Sequence, residues 1–131
     1  MILLDTHTLI WWLTDQKKLS SKAFDLIKNE CKNGEVVYSS ISVWEICILV
    51  KKGKLNLTKD IDVWVENLKL LPNFRPIPIT NDIARDSVFL PGFKNSDPAD
   101  RIIIATALSE KCPLVTKDRK IRAYKFVESV W

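Results

Sequence analysis

The sequence predicts an α/β fold in which a short, mostly parallel sheet is covered by helices on both faces. Three observations carry that expectation. Short apolar runs alternate with longer segments whose apolar residues recur at helical spacing. The runs are apolar throughout, as strands buried on both faces are. The chain has 131 residues, 47% of them hydrophobic, which is one domain's length with enough apolar material for a core. We therefore expect one domain over 1–131, with no repeat, linker or low-complexity tract.

Met1–Leu4 reads as a buried strand ending on the carboxylate of Asp5, and Thr6–Leu13 as an unusually apolar helix stopping near Thr14 and Asp15. Ser20 or Ser21 caps a second helix through about Asn33. Ala23, Phe24, Ile27 and Cys31 form its apolar stripe and Gly34 closes it. Val36–Ser39 is a second strand. Ser42 opens a third helix, with Glu45 three residues on and Gly53 as its stop. Ile61, Trp64, Val65 and Leu68 mark a fourth helix over Asp60–Leu70. Arg75–Ile79 holds two prolines, which restricts it to a short or edge strand. Asn81–Leu90 is a fifth helix, Pro91–Ser96 a loop and Pro98–Lys111 a sixth helix. Leu114–Thr116 and Phe126–Val130 complete the strands.

Composition excludes several classes. Cys31, Cys47 and Cys112 form no CxxC pair and are odd in number, which argues against a disulfide scaffold or thiolate zinc site and fits a reducing cytoplasm. Asp5 interrupts the N-terminal apolar run before a secretory core is reached, and no apolar run is long enough to span a membrane. His7 is the only histidine, so a two-histidine nuclease or a His-rich metal site cannot be assembled within one chain.

The acids sort informatively. In an open parallel sheet, ligands bind beyond the carboxyl ends of the strands. Asp5, Glu45, Asp97, Asp100 and Asp118 all fall at strand exits or in first helical turns on that rim. Several have a structural alternative. Glu45 can complete a capping box with Ser42, Asp97 can cap the helix opened by Pro98, Asp100 suits that helix's dipole, and Asp118 can turn the chain. Helix capping does not account for Asp5, a charge next to four apolar residues. Two carboxylates ~4 Å apart repel by roughly 4 kcal/mol at an effective dielectric near 20. A cluster of them therefore calls for cations. Oxygen ligands without Cys or several His select Mg²⁺ or Mn²⁺, which suit phosphodiester hydrolysis by an activated water.

Setting aside Asp5, Glu45, Asp100 and Asp118 leaves 12 acids against 20 bases, a body of +8 around an acidic pit. Such a balance suits a nucleic-acid backbone. Arg101, Lys117 and Arg119 are the candidates to steady a substrate phosphate, although Arg101 can equally pair with Asp97 or Asp100. His7 is read as packing or hydrogen-bonding beside the site. Trp11, Trp12, Trp44 and Trp64 are read as core or interface residues, with Trp12, Trp64, Leu13, Ile61 and Leu68 able to make a dimer face or partner groove.

The chain resembles the PIN domain family, and within it the VapC-like toxins of bacterial toxin–antitoxin pairs. The resemblance rests on Leu-Leu-Asp-Thr-His at Leu3–His7, Ser-x-x-Ser-x-Trp-Glu-Ile at Ser39–Ile46 and Gly-Lys-Leu at Gly53–Leu55. Asp-Pro-Ala-Asp-Arg-Ile-Ile-Ile-Ala-Thr-Ala at Asp97–Ala107 and Val-Thr-Lys-Asp at Val115–Asp118 complete it in order. It implies an α/β/α sandwich and a Mg²⁺- or Mn²⁺-dependent endoribonuclease. By position Asp5, Glu45 and Asp100 match the family's three central acids and Asp118 a more variable fourth. Asp97 is then an outer supporting or capping residue, and Thr6 and Thr116 are hydroxyls holding carboxylates or water. A homodimer and a cognate antitoxin are implied as partners, beside the RNA substrate. A PIN nuclease of RNA maturation and a non-catalytic PIN-like scaffold that binds RNA or protein are the alternatives. The non-catalytic form usually lacks one or more of the acids. An aspartyl-phosphate phosphatase would require an acid where His7 stands.

Overall fold

The computed structural model describes all residues from Met1 to Trp131. Five strands form one sheet: β1 (Ile2–Leu4), β2 (Val36–Ser39), β3 (Phe74–Ile77), β4 (Leu114–Val115) and β5 (Ser129–Val130). Their order is β3-β2-β1-β4-β5 and every pairing is parallel. The chain thus builds outward from β1 on one side, then crosses to β4 and builds outward on the other. The point of reversal lies between β1 and β4.

Seven α-helices cover the sheet. α1 (Thr6–Thr14), α2 (Ser21–Asn33), α3 (Ser40–Lys51) and α4 (Ile61–Lys69) precede β3; α5 (Asn81–Val88), α6 (Pro98–Glu110) and α7 (Arg119–Arg122) follow it. Alternation along β1 explains the three layers, because successive strand side chains point to opposite faces. Leu3 joins a core with Val37, Ile83, Ile103 and Ile104 on the α5–α6 side. Ile2 and Leu4 join another with Leu9, Ile27, Tyr38 and Ile46 on the α1–α3 side. Both faces of β1 and β2 are buried, as their uninterrupted apolar sequences predict.

The helix ends follow local chemistry. Ser20, Asp60, Thr80, Asp97 and Asp118 each accept a backbone N–H as N-caps. Gly53, with φ +69°, takes the left-handed turn just after α3. β3 is an edge strand, as its prolines require.

Four local expectations change. α3 starts two residues earlier than Ser42, because Ser39 is its N-cap, so Glu45 lies beyond the first turn and there is no Ser42–Glu45 capping box. The last strand is reduced to Ser129–Val130. α7 and a 3₁₀ turn at Gln16–Lys18 were not anticipated; each is too short to show periodicity. Trp11, Trp12 and Trp64 pack against the core of the α1–α3 side, whereas Trp44 is 56% exposed. No helix is long and apolar enough to cross a membrane.

The two-faced core gives a direct test. Replacing fully buried Leu3 by Ala is expected to destabilise the fold by about 2–5 kcal/mol in urea unfolding. Leu70→Ala, at an exposed position, should stay within roughly 0.5 kcal/mol of the parent.

Candidate active site

The reversal between β1 and β4 is where an open parallel sheet leaves a crevice beyond its strand ends. A cleft of about 240 Å³ opens there, lined by Asp5, Thr6, Glu45, Asp97, Asp100 and Asp118, with His7 and Ile103 completing its walls. Residues 113 positions apart in sequence are brought together because β1 and β4 are neighbours. Asp5 leaves β1, Glu45 comes from α3, Asp97 and Asp100 from the start of α6, and Asp118 from the turn after β4.

Each carboxylate is held by neutral donors. Asp5 is 7% exposed. Its Oδ1 accepts the Thr8 N–H at 2.7 Å, and its Oδ2 accepts the Thr116 hydroxyl. Asp5 is therefore the N-cap of α1, contrary to the expectation that capping does not cover it. The reason is that the strand passes straight into the helix with no intervening loop. Thr116 Oγ1 also accepts the Asp118 N–H at 3.0 Å, linking two of the acids through one buried hydroxyl. Glu45 accepts the hydroxyl proton of Thr6, whose Oγ1 lies 2.9 Å from the buried Ser42 Oγ. Asn95 donates to Asp100 Oδ2 at 2.8 Å and accepts the Asp97 N–H at 3.1 Å. Asp97 Oδ1 accepts the Ala99 and Asp100 N–H groups, and Asp118 Oδ1 those of Lys120 and Ile121.

None of the five acids forms an ion pair with a lysine or arginine; the ion pairs of the chain all lie elsewhere. Burial pushes the Glu45 carboxyl above its ordinary range, and Asp97 and Asp5 add to the rise against the Thr6 hydrogen bond. Asp100 is pushed up to about 6, first by burial and then by Asp97 and Asp118. An all-oxygen donor set with unneutralised charge fits a hard divalent cation. The carboxylates are held apart by their separate partners, and no three of the chain's Asp, Glu, His and Cys groups already converge on one point.

The bases behave differently from expectation at one position. Arg101 is not available to a phosphate, nor paired with Asp97 or Asp100. Its guanidinium donates to the carbonyls of Ser87, Val88, Phe93 and Asn95 at 2.8–3.0 Å and fixes the α5–α6 connection. Four of the five N–H donors of its planar fork are thereby engaged. Lys117 is exposed, its Nζ 5.8 Å from the centre of the Trp11 ring, and Arg119 is exposed at the start of α7. His7 is exposed at the cleft wall, its ring centre 5.8 Å from that of Trp11. Asn95 and Ser42 were missed as supporting residues. The Asn-x-Asp turn was a usable signal for Asn95, and Ser42 stands in the Ser-x-x-Ser-x-Trp-Glu-Ile motif, although only the fold brings it to Thr6.

The sequence profile of the PIN domain family matches residues 2–127, nearly the whole chain. This chain belongs to the PIN domain family. Among curated PIN relatives, Ribonuclease VapC22 of Mycobacterium tuberculosis is 33% identical over 124 residues, covering 95% of this chain and 92% of that protein. The PIN fold is shared with solved structures at lower identity. A VapBC2 complex from Rickettsia felis bound to a promoter DNA fragment superposes with a TM-score of 0.72 at 18% identity, covering 100% of this chain and 99% of that one. FitAcB from Neisseria gonorrhoeae gives 0.70 at 23% identity, covering 100% and 97%. The α/β sandwich expected from sequence is thus the PIN architecture.

Asp100 makes stability depend on pH. Its folded-state pKa lies above the ordinary value of 3.8, so the folded chain holds this proton more tightly than the unfolded one. Its contribution is fully present below about pH 4 and is lost as pH rises through about 6. Discounted for partial exposure, the loss is about 1 kcal/mol. Melting of the metal-free protein should occur at higher temperature at pH 5 than at pH 7, and added Mn²⁺ should raise the pH 7 value most. Arg101→Lys, which removes the fork, is expected to lower stability by about 1.5–3 kcal/mol in urea unfolding.

Proposed function

We propose that this chain is a divalent-metal-dependent endoribonuclease and the toxin of a toxin–antitoxin pair. The observation that carries the reading is that five acids, unpaired by any base, line one cleft at the switch point of the sheet. The kinship with a protein named as a ribonuclease, over 95% of this chain, supports the same chemistry.

Asp5, Glu45 and Asp100 are the residues that would hold Mg²⁺ or Mn²⁺, with Asp118 reaching it directly or through a water. When bound, such an ion supplies positive charge at the phosphate and lowers the pKa of an attacking water. The chain's own residues do the positioning. Thr116 orients Asp5 and Thr6 orients Glu45, each by one buried hydroxyl. Asn95 orients Asp100. Asp118 Oδ1 is engaged by two backbone N–H groups, so Oδ2 is the oxygen it can offer. Asp97 supports from behind by fixing the first turn of α6, on which Asp100 sits. Lys117 and Arg119 flank the cleft at its Asp118 side and meet the incoming phosphate.

The solved relatives include toxin–antitoxin complexes, which favours an antitoxin as partner of this chain. A groove of about 200 Å³ between Leu13, Trp64, Leu68 and Leu71 is the apolar surface we assign to it. A homodimer and a cytoplasmic setting complete the proposal.

Asp5→Asn and Glu45→Gln are each expected to reduce Mn²⁺-dependent cleavage of RNA by at least 10³-fold while keeping the far-ultraviolet circular dichroism of the parent. Cleavage at the parental rate by either variant removes that residue from the site. Cleavage undiminished by a chelator overturns the metal dependence.

A further inference from the structure

A second concave surface continues from the acidic cleft. Two cavities of about 380 and 420 Å³ meet at Tyr124 and form one groove between the α5–α6 connection and the segment after α7. Asn95 joins groove to cleft: it lines the first cavity while its amide holds Asp100 at 2.8 Å. Lys120 joins them again, since its backbone N–H holds Asp118 and the residue lines the groove.

The groove reverses the chemistry of the cleft. Lys94, Lys120 and Lys125 line it and no carboxylate does, in a chain with 16 acids. None of the three lysines is engaged in an ion pair. Aromatic rings run along its floor. Tyr124 stands edge-on between Phe93, 5.1 Å away, and Phe126, 5.4 Å away. Phe126 is 51% exposed, with Lys125 Nζ 5.1 Å from its ring centre. A free anion would be served by the lysines alone. Unpaired cations interleaved with an open aromatic face are the combination that holds single-stranded nucleic acid, phosphates on the bases and nucleobases on the rings.

We infer that this groove is a binding subsite for the single-stranded RNA flanking the scissile bond, with phosphates on Lys94 and Lys120 and a nucleobase stacked on Phe126. The inference rests on the ribonuclease reading and adds to it the path of the strand.

The test uses the full chain, a fluorescein-labelled oligoadenylate long enough to span cleft and groove, and fluorescence anisotropy in chelator so that no cleavage intervenes. The double variant K94Q/K120Q is expected to bind about tenfold more weakly, with a salt slope shallower by roughly 1.4 for two lost single-strand phosphate contacts. Phe126→Ala should lose about fivefold or more with its slope unchanged, and Phe126→Trp should restore binding. With Mn²⁺ present, K94Q/K120Q should raise KM for the oligoadenylate. Affinity and slope unchanged in both variants overturn the inference. So does a shift in oligomeric state by sedimentation with RNA affinity intact, which would assign the groove to a protein contact. If the parent binds RNA through the groove but cleaves none, the ribonuclease reading falls and the subsite stands.

Discussion

The structure is organised around carboxylates that repel one another and are restrained by neutral groups instead of by bases. Hydroxyls of Thr6 and Thr116, the Asn95 amide and backbone N–H groups hold Glu45, Asp5, Asp100, Asp97 and Asp118 in one cleft. Such partners fix direction without cancelling charge. Burial first, and then the neighbouring carboxylates, raise the pKa of Glu45 and Asp100. Bases at those positions would have cancelled the charge that a cation needs.

Topology determines which residues share that field. β1 is central, buried on both faces and paired to both β2 and β4. The residue after it is therefore placed where the loops of the two half-sheets part. Asp5 serves the fold as a helix cap and faces the cleft with the same side chain. Its two roles share one geometry, since an N-cap carboxylate necessarily stands at the strand exit. Asp97 and Asp118 are caps as well. A rim acid here caps a helix and faces the cleft at once.

That overlap explains what was legible in the sequence. Strands apolar throughout and helices with apolar stripes gave the layers, and Pro76 and Pro78 marked the edge strand. The rim acids were legible because strand exits are visible as the ends of apolar runs. Glu45 was placed in the wrong turn of α3, since Ser39 and Ser42 both look like caps and only the strand register chooses between them. Arg101 was misread because its four acceptors are carbonyls, which have no identity in a sequence. α7 was missed because one turn shows no period. What sequence pattern conveys is burial and periodicity; partners distant along the chain arrive only with the fold.

The sheet's margins carry a consequence of their own. β3 presents Pro76 within its four residues, so the outer row of donors is broken, and β5 at the opposite margin is only two residues long. Neither border offers an incoming chain a continuous ladder to extend. Assembly by adding strands edge to edge is therefore disfavoured at both ends. Copies of this molecule, or a protein that joins it, are expected to meet it through surfaces other than the sheet's edges.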